Sequence, residues 1–156
     1  MEDKVKFMRA AIARAKKGLA QGEVPVGAVV VANGKVIASG YNRRAKTQTA
    51  ISHAETYAID RACKKFKSWR LPDCDLYVTL EPCPMCMGAA LNARIRKVYF
   101  GAYEQKGRSM TKELAESNLL NHTLEVEGGV LEEECSALLS GFFRQMRERT
   151  KREPQD

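Results

Sequence analysis

Long apolar segments are missing from this sequence. No stretch approaches the roughly 20 consecutive apolar residues that a membrane-spanning helix requires. Residues 1–7 are largely charged and lack the apolar centre and cleavage site of a secretory signal peptide. We therefore expect a cytoplasmic protein with no membrane partner.

Linkers, low-complexity tracts and internal repeats are also missing. A chain of 156 residues can bury one substantial core but is too short for two ordinary domains. Its hydrophobic fraction of 44% and charged fraction of 29% are typical of soluble globular proteins. We expect one domain over residues 1–156.

Cysteine and histidine are scarce, and their arrangement narrows the chemistry. A reducing compartment argues against a disulfide framework among the five cysteines, so metal binding or catalysis is the better interpretation. Only one Cys-x-x-Cys motif occurs, which argues against a zinc ribbon built from two such motifs. Cys63, Cys74 and Cys135 lie outside it, and we interpret them as small buried hydrophobic residues.

Positive charge is in excess. The formal net charge is +7 at pH 7, and a surplus of this size favours an anionic partner, either nucleic acid or a phosphate-bearing substrate. The competing interpretation is that the surplus serves only solubility. Composition alone does not decide between the two.

The hydrophobic pattern predicts an α/β fold. Asn33-Gly34 lies between two apolar runs, 24–32 and 35–41, and is a strong signal for a β-hairpin. Helices are predicted over 4–20, 53–66, 84–91, part of 103–121, and 132–151. The last helix is expected to turn Leu138, Leu139, Phe142 and Met146 inward. Further strands are predicted over 76–80, 96–101 and 123–127, and a loop is predicted over 43–48. A hairpin followed by alternating helices and strands predicts a mixed five-stranded sheet with helices on both faces, a three-layer α/β/α arrangement.

Two short segments carry the candidate chemistry, His53-Ala54-Glu55 and Pro82-Cys83-Pro84-Met85-Cys86. Cys83 and Cys86 are three residues apart and share a face of one helical turn, where the helix N-terminus favours the metal-binding thiolate. His53 and Glu55 would point apart on a regular helix, so they can serve one site only at an irregular helix start. We therefore predict that two helix N-termini converge on one metal ion.

The number of ligands indicates a catalytic metal. Structural zinc sites are closed by four protein ligands, whereas catalytic sites keep one position for water. Here His53, Cys83 and Cys86 supply three ligands, and the other histidine, His122, is distant in sequence. One imidazole and two thiolates suit zinc, whose bound water can ionise near neutral pH. Glu55, a carboxylate that is not a ligand, would move the protons.

The spacing His-x-Glu followed by Pro-Cys-x-x-Cys resembles the signature of the cytidine deaminase superfamily. Within it the chain is most similar, over nearly its whole length, to the deaminases that act on adenosine in tRNA. The matching segments are Glu23–Ala28, Tyr41–Arg43, His53–Glu55, Ser68–Leu71, Leu76–Cys83, Phe100–Ala102, Asn121-His122 and Cys135–Arg144. The resemblance implies a cytidine-deaminase-like fold, one zinc ion per subunit, and hydrolysis of the anticodon wobble adenosine to inosine with release of ammonia. It also implies a homodimer whose site for the tRNA anticodon stem-loop draws on both subunits.

The same resemblance implies roles for residues outside the two metal segments. Asn42 would contact the target nucleoside, and Glu104 stands where the family usually has an aspartate near the substrate. Phe143 and Arg144 on the last helix would lie near the RNA.

Basic residues support an RNA partner on physical grounds, because phosphate contacts supply most nucleic-acid affinity. Arg43, Arg44 and Lys46 precede the histidine segment, and Arg147 belongs to a basic run at the end of the chain. Part of that run is also explained by the helix dipole, which favours cations near a helix C-terminus.

Two features keep other functions open. The stretch 103–109 is shorter than the one usual in the family that the chain resembles, and the dipeptide Pro84-Met85 between the cysteines also occurs in deaminases of free bases. The first alternative is a deaminase of a free nucleobase or nucleoside, of the guanine, cytosine or adenine type. The second is a non-catalytic binding domain stabilised by zinc.

Overall fold

Helices and strands alternate along the chain. The computed structural model describes residues 2–104 and 109–152. Within these ranges the elements are α1 (Glu2–Leu19), β1 (Gly27–Ala32), β2 (Lys35–Tyr41), α2 (Arg44–Thr47), α3 (Ala54–Phe66), β3 (Cys74–Leu80), α4 (Pro84–Asn92), β4 (Lys97–Ala102), α5 (Thr111–Glu116), β5 (Glu125–Glu127) and α6 (Glu132–Arg152). No helix among the described residues is long and apolar enough to cross a membrane.

The five strands form one mixed sheet in the order β2-β1-β3-β4-β5. β1 pairs antiparallel with β2 and β3, whereas β3, β4 and β5 run parallel to one another. Asn33 and Gly34 join β1 to β2 with positive φ angles of 50° and 73°, the backbone region that hairpin turns of this sequence adopt. The predicted hairpin and five-stranded mixed sheet are confirmed.

Helices cover both faces of the sheet and create two cores. Val30 and Val78 face the core that α3 and α4 complete, whereas Val29 and Tyr77 face the core that α1 and α6 complete. Because side chains alternate along a strand, both faces of β1 and β3 are buried, which accounts for their continuous apolar runs. The predicted three-layer α/β/α arrangement is confirmed.

One end of the sheet gathers the segments in which the sequence predicts functional residues. Gly27 pairs with Tyr41, and Leu80 pairs with Ala102, so the start of β1 and the ends of β2, β3 and β4 share this end. The chain leaves it three times, at Asn42 after β2, at Glu81 after β3 and at Tyr103 after β4.

The structure differs from the sequence predictions at three places. Cys63 is half-buried, whereas Cys74 and Cys135 are buried as predicted. Residues 44–47 form one helical turn, α2, where the pattern predicts a loop. The buried Glu23 carboxylate accepts the backbone N–H groups of Ala45 and Lys46 at 3.1 and 2.8 Å, which stabilises this helix start from a distant point in the sequence. On α6, Met146 is 45% exposed rather than inward, because the sheet-facing core ends with the preceding turns.

Gly40 lets α3 approach β2 closely. A Cβ atom at Gly40 would lie 2.5 Å from the carbonyl oxygen of Ala54 and 2.7 Å from Cβ of Tyr57, both in the first helical turns of α3. We expect Gly40→Ala to lower the free energy of unfolding by about 1–3 kcal/mol, as overpacking does in other cores. Denaturant unfolding measures this loss.

Gly141→Ala is the matched control, because a Cβ there meets nothing within 4 Å. It should leave stability unchanged or raise it by up to about 1 kcal/mol, since alanine favours helices over glycine. Similar losses in both variants would show that the close contact at Gly40 is not the cause.

Candidate active site

Two helix N-termini meet at the end of β3. His53 is the residue immediately before α3 and Cys83 the residue immediately before α4, both with extended backbone. Cys86 lies in the first turn of α4. The Nδ1 atom of His53 is 3.7 Å from Sγ of Cys83 and 3.5 Å from Sγ of Cys86. The structure therefore brings the three predicted ligands together.

Local interactions explain why both helices begin here. Pro84 occupies the first position of α4, where its missing N–H leaves no helical hydrogen bond unmade. In α3, the hydroxyl of Thr56 accepts the backbone N–H of His53 at 3.2 Å and donates to the carbonyl oxygen of His53 at 2.9 Å. Thr56 thus holds the backbone that presents the imidazole.

The three side chains form a candidate metal site. One donor atom from each of His53, Cys83 and Cys86 lies within 4.8 Å of the other two, and the described residues contain no other such cluster. One imidazole nitrogen and two sulfurs fit the preference of zinc. A set of three protein ligands leaves one coordination position for water or substrate.

The surroundings of the two cysteines shift their pKa values in opposite directions. The Cys86 thiol donates to Cys83, and this bond together with His53 lowers the pKa of Cys83 to about 4 although burial opposes the shift. The same donor role raises the pKa of Cys86. The bond to Cys83 also raises the pKa of His53. The lowered pKa favours the metal-binding thiolate form at Cys83.

Glu55 lies beside the cluster without belonging to it. It is the second residue of α3, and its side chain is 4% exposed. Burial raises the pKa of Glu55, while a bond from its own backbone and the charge of His53 act in the opposite direction. A carboxyl whose pKa is moved toward neutral pH suits proton transfer in both directions.

The loop after β2 joins the histidine segment. The backbone N–H of Arg43 donates to the carbonyl oxygen of Ser52 at 3.0 Å, and Asn42 is 9% exposed. The Arg43 guanidinium lies over the rings of Tyr41 and Tyr57, 4.3 and 5.1 Å from their centroids. Arg43 thus links the end of β2 to α3 through one cation–π contact with each element.

Known proteins resemble this chain in sequence and in fold. Residues 2–147 match the family model described as MafB19-like deaminase. The chain belongs to this deaminase family. The tRNA-specific adenosine deaminase of Bacillus subtilis (strain 168) is 50% identical over 147 residues, which cover 93% of this chain and 91% of the relative.

Solved structures agree with this assignment. One of them comes from a study of A-to-I editing by tRNA:A34 deaminases at the wobble position of transfer RNA. It aligns with a TM-score of 0.79 at 40% sequence identity, and the alignment covers 86% of this chain and 99% of that one. A guanine deaminase from Bacillus subtilis aligns with a TM-score of 0.60 at 40% identity, covering 63% of each chain. The deaminase thus has the cytidine-deaminase-like fold that the sequence predicts.

The other predicted site residues of the deaminase lie outside the cluster of His53, Cys83 and Cys86. Arg44, at the start of α2, is exposed and close enough to His53 for its charge to oppose the rise in the histidine pKa. Glu104 is exposed and borders a cavity of about 220 Å³ that Cys83 also lines. Residues 105–108 of the unusual 103–109 stretch lie outside the described residues.

Phe143, Arg144 and Arg147 lie on the exposed face of α6. This helix packs mainly on β3, β4 and α1, so the structure does not bring these three residues into the metal cluster. Their neighbours Phe142 and Met146 line a small cavity with Leu19 and Gly22, at the end of α1.

Sequence reasoning missed Glu81 as a residue of this site. Its side chain is 9% exposed and accepts hydrogen bonds from Glu104, Ser109 and Thr111. Burial raises the pKa of Glu81, but these donors outweigh burial and hold the pKa below its ordinary value. The only available signal was its place immediately before the Pro82-Cys83 segment.

Proposed function

We propose that this deaminase converts the adenosine at the wobble position of a tRNA anticodon to inosine and releases ammonia. The proposal is carried by the cluster of His53, Cys83 and Cys86 beside the buried Glu55. The chain that holds this cluster is 50% identical to a tRNA-specific adenosine deaminase over 93% of its own length.

We infer that the metal is zinc, one ion per subunit, held by His53, Cys83 and Cys86. Bound zinc would supply a Lewis acid that lowers the pKa of water toward neutrality. Glu55 takes the proton from the attacking water and delivers it to the departing amino group. A C6–O bond forms and the bond from C6 to the amino nitrogen breaks. One proton of the water ends on the departing ammonia and the other on N1 of inosine.

Positive charge around the site supports an RNA substrate. In this proposal Asn42 and Glu104 contact the target nucleoside, and the exposed Arg44 meets the phosphate backbone. Arg43 shapes the same loop through its stacking on Tyr41 and Tyr57. On α6, the exposed Phe143, Arg144 and Arg147 extend the RNA surface, with the aromatic ring available for stacking on a base.

We also propose a homodimer. Large apolar side chains are exposed at one position in the first turn of α4 and on both sides of α5, where a monomer would leave them in water. They are Met85, 38% exposed, Met110, 52%, Leu119, 77%, and Leu120, 40%. A second copy would cover them and bring two sites into one particle, which sedimentation velocity measures directly.

Ammonia release tests the function. Zinc-loaded protein is mixed with an anticodon stem-loop that carries a wobble adenosine, or with free adenine, guanine, cytosine and their nucleosides. We expect inosine in the stem-loop and no turnover of the small molecules. A stem-loop with adenosine moved to another loop position is the matched control and should stay unmodified.

A free-base deaminase is the second candidate, favoured by one observation. The guanine deaminase from Bacillus subtilis shares 40% identity over 63% of this chain. Turnover of a free base with the stem-loop untouched would establish that candidate instead. A non-catalytic zinc domain is the weakest alternative, because the chain belongs to a deaminase family and buries a carboxyl group, Glu55, beside the cluster.

A further inference from the structure

One buried carboxylate connects the cysteine segment to the chain that follows β4. Oε1 of Glu81 accepts the backbone N–H of Glu104 at 3.0 Å. Oε2 accepts the hydroxyl of Thr111 at 2.7 Å and also the hydroxyl of Ser109. Both oxygens of a single side chain therefore have partners on this one stretch of chain.

The hydrogen-bond partners of Glu81 lie at the two ends, or flanks, of the segment 104–111. Glu104 comes just after β4, and Thr111 begins α5. Because a carboxylate makes hydrogen bonds about twice as strong as a neutral acceptor does, Glu81 fixes both flanks against the end of β3. Thr111 is 4% exposed, so its bond to Glu81 is shielded from water.

The hydrogen bonds of Glu81 to Glu104, Ser109 and Thr111 form a clamp, and part of this clamp is a wall of the candidate active site. Glu81, Glu104, Ser109 and Met110 line the cavity of about 220 Å³ that reaches Cys83. Movement of either flank would change the shape of this cavity without moving the cysteine itself. Substrate groups that approach the metal cluster from this side meet surfaces that Glu81 holds in place.

We propose that Glu81 is a positioning residue for the RNA substrate: it holds Glu104 and Ser109 at the rim of the site and thereby sets the KM for the anticodon stem-loop. The inference rests on the proposed function. Glu81 acts through its hydrogen bonds and touches neither the zinc ligand atoms nor the reacting base.

Steady-state kinetics on the stem-loop test the proposal. Glu81→Ala should raise KM about tenfold, the effect of losing roughly one charge-assisted hydrogen bond, while kcat and zinc content stay close to wild type. Glu81→Gln should restore much of the loss, because its carbonyl oxygen can accept the Glu104 N–H and its amide can donate to the hydroxyls of Ser109 and Thr111.

Asp75, on the strand that precedes Glu81, provides a matched control. Its side chain is 12% exposed and accepts two hydrogen bonds from Arg96, at 2.9 and 2.8 Å, but it lies at the opposite end of β3. Asp75→Ala should lower stability and leave both KM and kcat unchanged. Amide hydrogen exchange at Glu104 and Thr111 should accelerate in Glu81→Ala and not in Asp75→Ala.

Thr111→Val keeps the proposal testable if Glu81→Ala folds poorly. It removes one donor of the clamp in an almost isosteric change and should raise KM in the same direction. If Glu81→Ala and Thr111→Val both turn over the stem-loop at the wild-type rate with an unchanged KM, the positioning role of Glu81 is overturned while the proposed function stands. A wild-type protein that leaves the stem-loop unmodified would overturn the proposed function, and the role in RNA binding with it.

Discussion

Glu55→Ala is expected to lower the rate of adenosine deamination by about 10³-fold or more, within the range that general acid–base catalysis supplies. Glu55 is 4% exposed and next to the cluster, so water cannot easily replace it as a proton carrier. Because it contributes no donor atom to the cluster, the variant should keep its fold and its zinc. Single-turnover inosine formation at saturating stem-loop measures the effect, and metal analysis confirms the zinc content.

Two further variants separate proton transfer from structure. Glu55→Gln keeps the size of the side chain but cannot accept the proton, so it should lose as much activity as the alanine variant. Asp60→Ala removes another acid from α3 whose side chain is 57% exposed and paired with Lys64, and it should retain the wild-type rate. Substantial turnover in both Glu55 variants would refute the proton-transfer role.

The elements that sequence predicts well are those whose signal is local. Asn33-Gly34 specifies its turn through the backbone freedom of two adjacent residues. The convergence of two helix starts follows from the residues that begin them, since Pro84 favours the first helical position and the two-residue spacing of His53 and Glu55 excludes a regular helix for both. The convergence of His53, Cys83 and Cys86 could therefore be predicted before any fold was known.

The features that sequence does not predict depend on residues that meet only in the folded chain. Glu23 stabilises α2 from a loop before β1, so no local pattern around residues 44–47 indicates a helix. Arg43 has the charge of a phosphate-binding residue, yet its guanidinium also stacks on Tyr41 and Tyr57. Helical periodicity likewise does not reveal where the core under α6 ends, which is why Met146 is exposed.

Cys83→Ala is expected to lose zinc and a large part of the stability that zinc confers. The change leaves His53 and Cys86 as the only donors of the cluster, two where a catalytic zinc site uses three. Metal bound only to the folded state stabilises that state, by about 4 kcal/mol when the free metal concentration is 1,000 times its dissociation constant. Metal analysis after gel filtration and thermal unfolding measure the two effects.

A chelator distinguishes lost metal from lost packing. If zinc is the cause, chelation should lower the melting temperature of the wild-type protein to near that of Cys83→Ala and should leave the variant unchanged. Cys63→Ala is the matched control, because this half-buried thiol of α3 lies outside the cluster, and it should keep one zinc ion and the response to chelator. A Cys83→Ala protein that retains zinc would show that another residue completes the site. Equal melting temperatures before and after chelation of the wild type would show that the two helix starts are held together by packing alone.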